Sequence, residues 1–319
     1  MKSMLLEYYN AARTHAALAE EDWFGLIKFT GSERASWLQG MVTNDVLKLK
    51  PGEGCYAAHL TAQGKIVAHM HILVDEDSLW LSLERAAIHG LISAFDKLLI
   101  MEDVQMSDVS EQWQILAVIG PESRAVIESW LGETVDISLA YSHRVVDGCR
   151  VVVSDLGYEV WVLRELADKI LRALAASGAT AIDHGTWDVL RTEAGMPIHG
   201  VDIDSTTTMP ELGDAGISYD KGCYVGQEVV AKVKYIGHVN RRFAGLILSG
   251  RDLPDIESVI LKDGKDAGYV TTSVFSPGLN KPIALGFVSR TAYVPGTEVE
   301  VRSEGKILKA AITELPFKL

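Results

Sequence analysis

Cys223 stands in Lys221-Gly222-Cys223-Tyr224-Val225-Gly226-Gln227-Glu228, a thiol between two glycines followed by a run, 227–235, that can be helical. The glycines permit an unusual backbone shape and leave little bulk around the sulfur. A helix starting near Gly226 would put Cys223 just before its N-terminus, where the backbone dipole favours a thiolate. From this stretch alone, a small hydrophobe in a tight turn is an equal reading. Trp187 and Glu193 form a second group, on a predicted helix that ends in Ala194-Gly195-Met196-Pro197. Singly, Trp187 reads as core packing and Glu193 as a solvated helix residue. Joined by Trp23, they could form a slot in which a flat heteroaromatic stacks while a carboxylate accepts N–H donors from its edge. A pterin presents that pair of donors. His69 and His71 share a strand face, but no carboxylate or thiol partner completes a metal site. Phosphate-cradling loops, a GxSxG elbow and an HExxH pair are all missing from the sequence.

These groups sit in a chain of 319 residues, 48% hydrophobic and 23% charged, enough for two or three domains with large cores. A formal net charge of -13 argues against nucleic acid as a direct partner. The three cysteines, Cys55, Cys149 and Cys223, are far apart and form no CxxC pair. A disulfide framework and a self-contained zinc or cluster site are therefore not expected, and a reducing cytoplasm is the expected setting. No signal-peptide core and no apolar run of membrane-spanning length occurs, so no membrane partner is expected.

Residues 1–20 read as helix and 23–29 as a strand ending at Thr30-Gly31. Thr30 and Glu33 have the spacing of a capping box, opening a helix from Ser32 to Gln39. Strands are predicted at 55–60, 66–74 and 79–83, then a helix over 84–100 with Ile88, Leu91, Ile92 and Phe95 at helical spacing. The order then recurs: strand 114–119, helix after Pro121, hairpin around Asp147-Gly148, strand 157–163, helix 165–176. Strand pairs, each followed by a helix and a strand, predict an α+β fold with two interlocked portions of split-βαβ type. From residue 242, six short alternating strands separated by Gly and Pro predict a small antiparallel barrel. The expected domains are 1–241, in portions of roughly 1–110 and 111–241, and 242–319.

Four stretches together resemble the YgfZ family, the folate-binding branch of the superfamily named for the glycine cleavage T-protein. They are Leu38-Gln39-Gly40-Met41-Val42-Thr43-Asn44-Asp45-Val46, Leu60-Thr61-Ala62-Gln63-Gly64-Lys65-Ile66, Leu190-Arg191-Thr192-Glu193-Ala194-Gly195-Met196-Pro197 and the Cys223 motif. The resemblance implies bound tetrahydrofolate, with Trp23 and Trp187 at the folate-contacting tryptophans and Glu193 beside them. It further implies a role in assembling or repairing iron–sulfur enzymes, and only indirectly in tRNA modification, rather than conventional catalysis. Cys223 would be the essential thiol, and iron–sulfur assembly proteins or client enzymes the partners. Arg242, with Arg241 and Lys232, is a candidate for the anionic glutamate tail of the folate. One departure separates the chain from the aminomethyltransferases of the superfamily. Where they carry an Asp pair, this sequence has Ala68-His69, so a folate-dependent aminomethyltransferase is the alternative reading, with His69 as its only plausible acid or base.

Overall fold

The computed structural model describes residues 2–319, with side chains from Met4 onward. The chain divides into two compact units, 1–183 with 215–228, and 184–214 with 229–319. The first unit begins with α1 (Lys2–Thr14) and β1 (Ala17–Glu20), so the predicted N-terminal helix ends early and its tail is a strand. It continues with β2 (Phe24–Thr30), α2 (Arg34–Gln39), β3 (Gly54–Leu60), β4 (Ile66–Val74), β5 (Leu79–Glu84), α3 (Arg85–Asp96) and β6 (Gln105–Asp108). Then follow β7 (Trp113–Ile119), α4 (Ser123–Leu131), β8 (His143–Val146), β9 (Cys149–Ser154), β10 (Gly157–Leu163), α5 (Arg164–Ala176) and β11 (Thr180–Ala181). Strand, helix, three strands, helix, strand thus occurs twice. The first pass makes a sheet ordered β3-β4-β5-β2-β6 and the second a sheet ordered β11-β1-β7-β10-β9-β8. In the second sheet β1 separates β11 from β7, which is why the two are related but not superposable in pairing.

Alternation along the strands gives each sheet two faces. Ile27, Phe29, Ala68, Met70, Ile72 and Leu81 of the first sheet pack on Leu38, Leu91 and Phe95 of α2 and α3. The opposite face, through Leu26, Leu73 and Trp80, meets Ile115, Val152 and Trp161 of the second sheet. Arg150 fixes one end of that contact. Its guanidinium grips Asp75 at 2.8 and 2.6 Å and lies over the Trp80 and Trp161 rings.

The second unit contains α6 (His184–Ala194), α7 (Met209–Leu212), α8 (Gln227–Tyr235, whose first two residues group with the first unit) and β12 (Arg241–Leu248). Then come β13 (Val259–Lys262), β14 (Lys265–Ser276), β15 (Lys281–Ser289), β16 (Glu298–Ser303) and β17 (Lys306–Thr313). These six strands close an antiparallel barrel in the order β12-β15-β14-β13-β16-β17, as their alternation predicts. Among the described residues, no helix is long and apolar enough to cross a membrane.

The predicted capping box is not built. Helix α2 starts at Arg34 with Glu33 as its cap residue, and Glu33 instead accepts the Asp103 N–H at 2.7 Å. Asp103 in turn accepts from the Ser32 N–H and hydroxyl, both at 2.8 Å. A carboxylate 70 residues away in sequence thus displaces the local cap, a pairing no sequence spacing shows.

Candidate functional site

Strand β4 carries His69 and His71 onto the face that looks toward the second sheet, beyond the end of the apolar contact. Register places Tyr56 of β3 opposite His71, and Ser82 of β5 also opposite His71. Two residues further along both strands, His69 and Glu84 meet, with Nε2 3.2 Å from Glu84 Oε1. The Tyr56 hydroxyl lies 3.0 Å from His69 Nδ1. His71 stacks on Tyr141 with ring centroids 4.5 Å apart, and the Tyr141 hydroxyl donates to Asp155 at 3.0 Å. Glu159 of β10 accepts the Trp161 indole N–H at 2.7 Å. Three carboxylates, two imidazoles and two phenols are therefore gathered from strands of both sheets and from the turns that hold Tyr141 and Asp155. Among the described residues, no group of three or more His, Cys, Asp or Glu side chains is placed to hold a metal ion.

Burial sets the protonation of this cluster. It raises the Glu159 carboxyl to about 7, with the Asp155 charge adding and the Trp161 hydrogen bond opposing. It pushes the Tyr56 hydroxyl far up, helped by the Glu84 and Asp155 charges, and draws the His71 imidazole down. Both phenols, Tyr56 and Tyr141, are therefore held neutral.

Trp23 enters at the edge of this cluster. Its carbonyl accepts the Arg85 N–H at 2.8 Å, and the next residue, Phe24, pairs with Glu84. Cys223, in the same unit, is exposed. Helix α8 begins at Gln227, so four positions separate the thiol from the helix start. The loop is clasped by Lys221, whose ammonium donates to the carbonyls of Gln39, Val42 and Asn44 at 2.6, 2.7 and 2.7 Å. Burial draws that ammonium down to about 8, with the Asp45 charge opposing. Of the two glycines, Gly226 is the demanding one, with φ +83° and a position where a Cβ would lie 2.6 Å from the Thr61 carbonyl.

In the other unit, Trp187 and Glu193 share α6 and are both buried. Glu193 is thus no solvated helix residue, and one of its oxygens accepts the Ser276 hydroxyl of β14. Arg242 is exposed and lies over the Tyr293 ring at 5.2 Å. Arg241 is held internally, 3.0 Å from Glu211 and 2.9 Å from the Tyr269 hydroxyl. Sequence reading missed Tyr56, Glu84, Asp155 and Glu159. Tyr56 and Glu159 lie on predicted strands, Glu84 at the start of the predicted helix 84–100 and Asp155 in a turn, and none of these local patterns names cross-strand partners.

Two mainly antiparallel sheets flanked by helices, with a closed barrel and a cluster of buried titratable side chains, define a class before any relative is named. Residues 1–217 match the GCVT N-terminal domain and residues 241–318 the glycine cleavage T-protein C-terminal barrel domain. The chain belongs to the glycine cleavage T-protein family. Among its relatives is an aminomethyltransferase of Geobacillus kaustophilus, 31% identical over 99% of this chain and 90% of that protein. Another, from Nostoc sp., is an aminomethyltransferase 29% identical over 97% of this chain and 86% of its own length. The glycine cleavage system aminomethyltransferase T of Bartonella henselae shares the fold, with a TM-score of 0.90 at 23% identity over 98% of this chain and 89% of that one. These findings overturn the expectation of an iron–sulfur support protein with no conventional catalysis. The superfamily stands, whereas its YgfZ branch does not: relatives matched along nearly the whole chain carry the name of an enzyme. The Cys223 motif and the missing acids at Ala68-His69 suggested the branch, and similarity along nearly the whole chain outweighs them.

Proposed function

We propose that this protein is a folate-dependent aminomethyltransferase, passing a one-carbon unit from an aminomethylated carrier protein to tetrahydrofolate with release of ammonia. The observation that carries this reading is similarity to aminomethyltransferases over 97–99% of the chain. The missing acids at Ala68-His69 do not argue against it, because a carboxylate, Glu84, stands beside His69 instead. His69 is the acid–base residue in this reading. Trp23, Trp187 and Glu193 are each proposed as contacts of the folate ring, and Arg242 as a contact of its glutamate tail. The thiol of Cys223, exposed on a fixed loop, is proposed to accept the one-carbon unit in transit. Three free cysteines support a reducing, cytoplasmic setting.

Turnover of an aminomethylated carrier with tetrahydrofolate is the direct test, and it should be lost in His69→Ala. Absence of turnover with every methylamine donor refutes the reading. Calorimetry with tetrahydrofolate should show binding that Trp187→Ala weakens. Cys223→Ser with unchanged turnover removes the thiol from the reaction.

A further inference from the structure

Between Val229 and Arg242 the chain holds no acidic residue, yet it holds Lys232, Lys234, Arg241 and Arg242, in a protein whose formal net charge is -13. Two of these cations are engaged within the second unit: Lys234 lies 2.9 Å from Asp214 and Arg241 lies 3.0 Å from Glu211. Lys232 is exposed and forms no ion pair among the described residues. Arg290, also exposed, is tied to the end of the same segment, its N–H donating to the Asn240 carbonyl at 2.8 Å.

Helix α8 ends inside this segment, and its ending sets apolar side chains in water. The N–H groups of Ile236 and Gly237 both donate to the Lys232 carbonyl, at 3.1 and 2.8 Å, which closes the last turn. Ile236 is thereby held one turn beyond Lys232 and is 84% exposed, while Tyr235 beside it is 69% exposed. The helix dipole favours the lysines of the last turn, but it does nothing for the two apolar side chains. An apolar centre on a fixed backbone, edged by cations, has the anatomy of a recognition surface.

We propose that this tip, Tyr235 and Ile236 with Lys232 and Arg290, is the face on which the aminomethylated carrier protein docks, through an apolar hollow rimmed by carboxylates. This rests on the aminomethyltransferase reading, in which the one-carbon unit arrives on another protein. The acidic character of the partner follows from charge. A carboxylate-rich surface is repelled by a protein of net charge -13 and attracted where cations stand without acids, so the field orients the encounter as well as strengthening it. A nucleic acid would need a longer cationic track than one helix end supplies.

Calorimetry with the carrier protein stripped of its aminomethyl group measures docking apart from turnover. The full-length wild type should bind it, more weakly as ionic strength rises. Ile236→Asp should weaken binding by about tenfold or more without moving the melting temperature, since the side chain is exposed. Lys232→Glu should weaken it too and flatten the salt dependence. In turnover, Ile236→Asp should raise KM for the carrier with kcat and tetrahydrofolate affinity unchanged. Carrier binding at wild-type strength in both variants, or docking indifferent to salt, overturns the proposal. So does a single-stranded RNA, or a dimer of this chain, that Ile236→Asp releases while carrier binding stays intact. Docking that both variants weaken, in a protein that turns over no methylamine donor, upholds the tip and refutes the transfer reading alone.

Discussion

Asp75 shows how one buried contact ties two sheets together. It accepts two bonds from Arg150, one from the Trp80 indole at 3.0 Å and one from His143 at 3.0 Å. Burial alone would raise its carboxyl, but the His143 and Arg150 bonds and charges win and hold it well below the usual range. A depressed folded pKa stabilises the fold above the unfolded value and loses that contribution as pH falls below about 4. Asp75→Asn should therefore flatten the acid dependence of the melting temperature. It should also cost roughly 3–5 kcal/mol at neutral pH, because the buried Arg150 loses its counter-charge. Glu159 has the opposite sign. With its folded pKa raised to about 7, the fold holds a proton that the unfolded chain has released, so stability falls as pH climbs from about 4.5 to 7. Glu159→Gln, which can still accept from Trp161, should remove that fall and melt higher than wild type at pH 8. A melting temperature at pH 8 equal to or below wild type would contradict this.

Among the elements, the loop 215–226 is held by hydrogen bonds to backbone carbonyls. Lys221 satisfies three carbonyls around α2, Val225 N–H reaches the Gly40 carbonyl at 3.1 Å and Ser218 N–H the Thr43 carbonyl at 3.0 Å. Lys221→Met keeps the aliphatic stem but strands those acceptors, at roughly 1–3 kcal/mol. Limited proteolysis should then cut within 215–226 at protease levels that spare the wild type, and unchanged protection would deny the clasp. Helix spacing made α6 and α8 readable to their ends, His184–Ala194 and Gln227–Tyr235. Strand alternation did the same for most of both sheets. The short β6 and β11 were not legible, because each exists only by pairing, with β2 and β1 respectively.

For the whole molecule, the repeated order of elements in the first unit and the closed barrel of the second describe two different solutions to burying sheets. Segment 184–214 groups with the barrel through buried polar bonds. Arg191 reaches Asp202 at 3.0 Å and Thr272 at 3.2 Å, Asp202 accepts from Thr271 and Thr272, and Glu193 from Ser276. A chain ending at residue 240 would strip those hydroxyls away. It should lose the helical signal of 184–194 in circular dichroism and aggregate in size-exclusion chromatography; a monodisperse product with full helicity would contradict this. The sequence by itself determined the α+β order, the barrel, the superfamily and the folate expectation, because these rest on local periodicity and on motifs contiguous in the chain. It also named His69 as the one plausible acid or base. Only the tertiary structure decided what surrounds His69. Tyr56 and Glu84 lie 13 and 15 residues away on other strands, and hydrogen-bonded register, which no local pattern encodes, brings them to one imidazole. Tertiary structure likewise left Cys223 exposed on a clasped loop, four positions ahead of the helix whose dipole was expected to act on it.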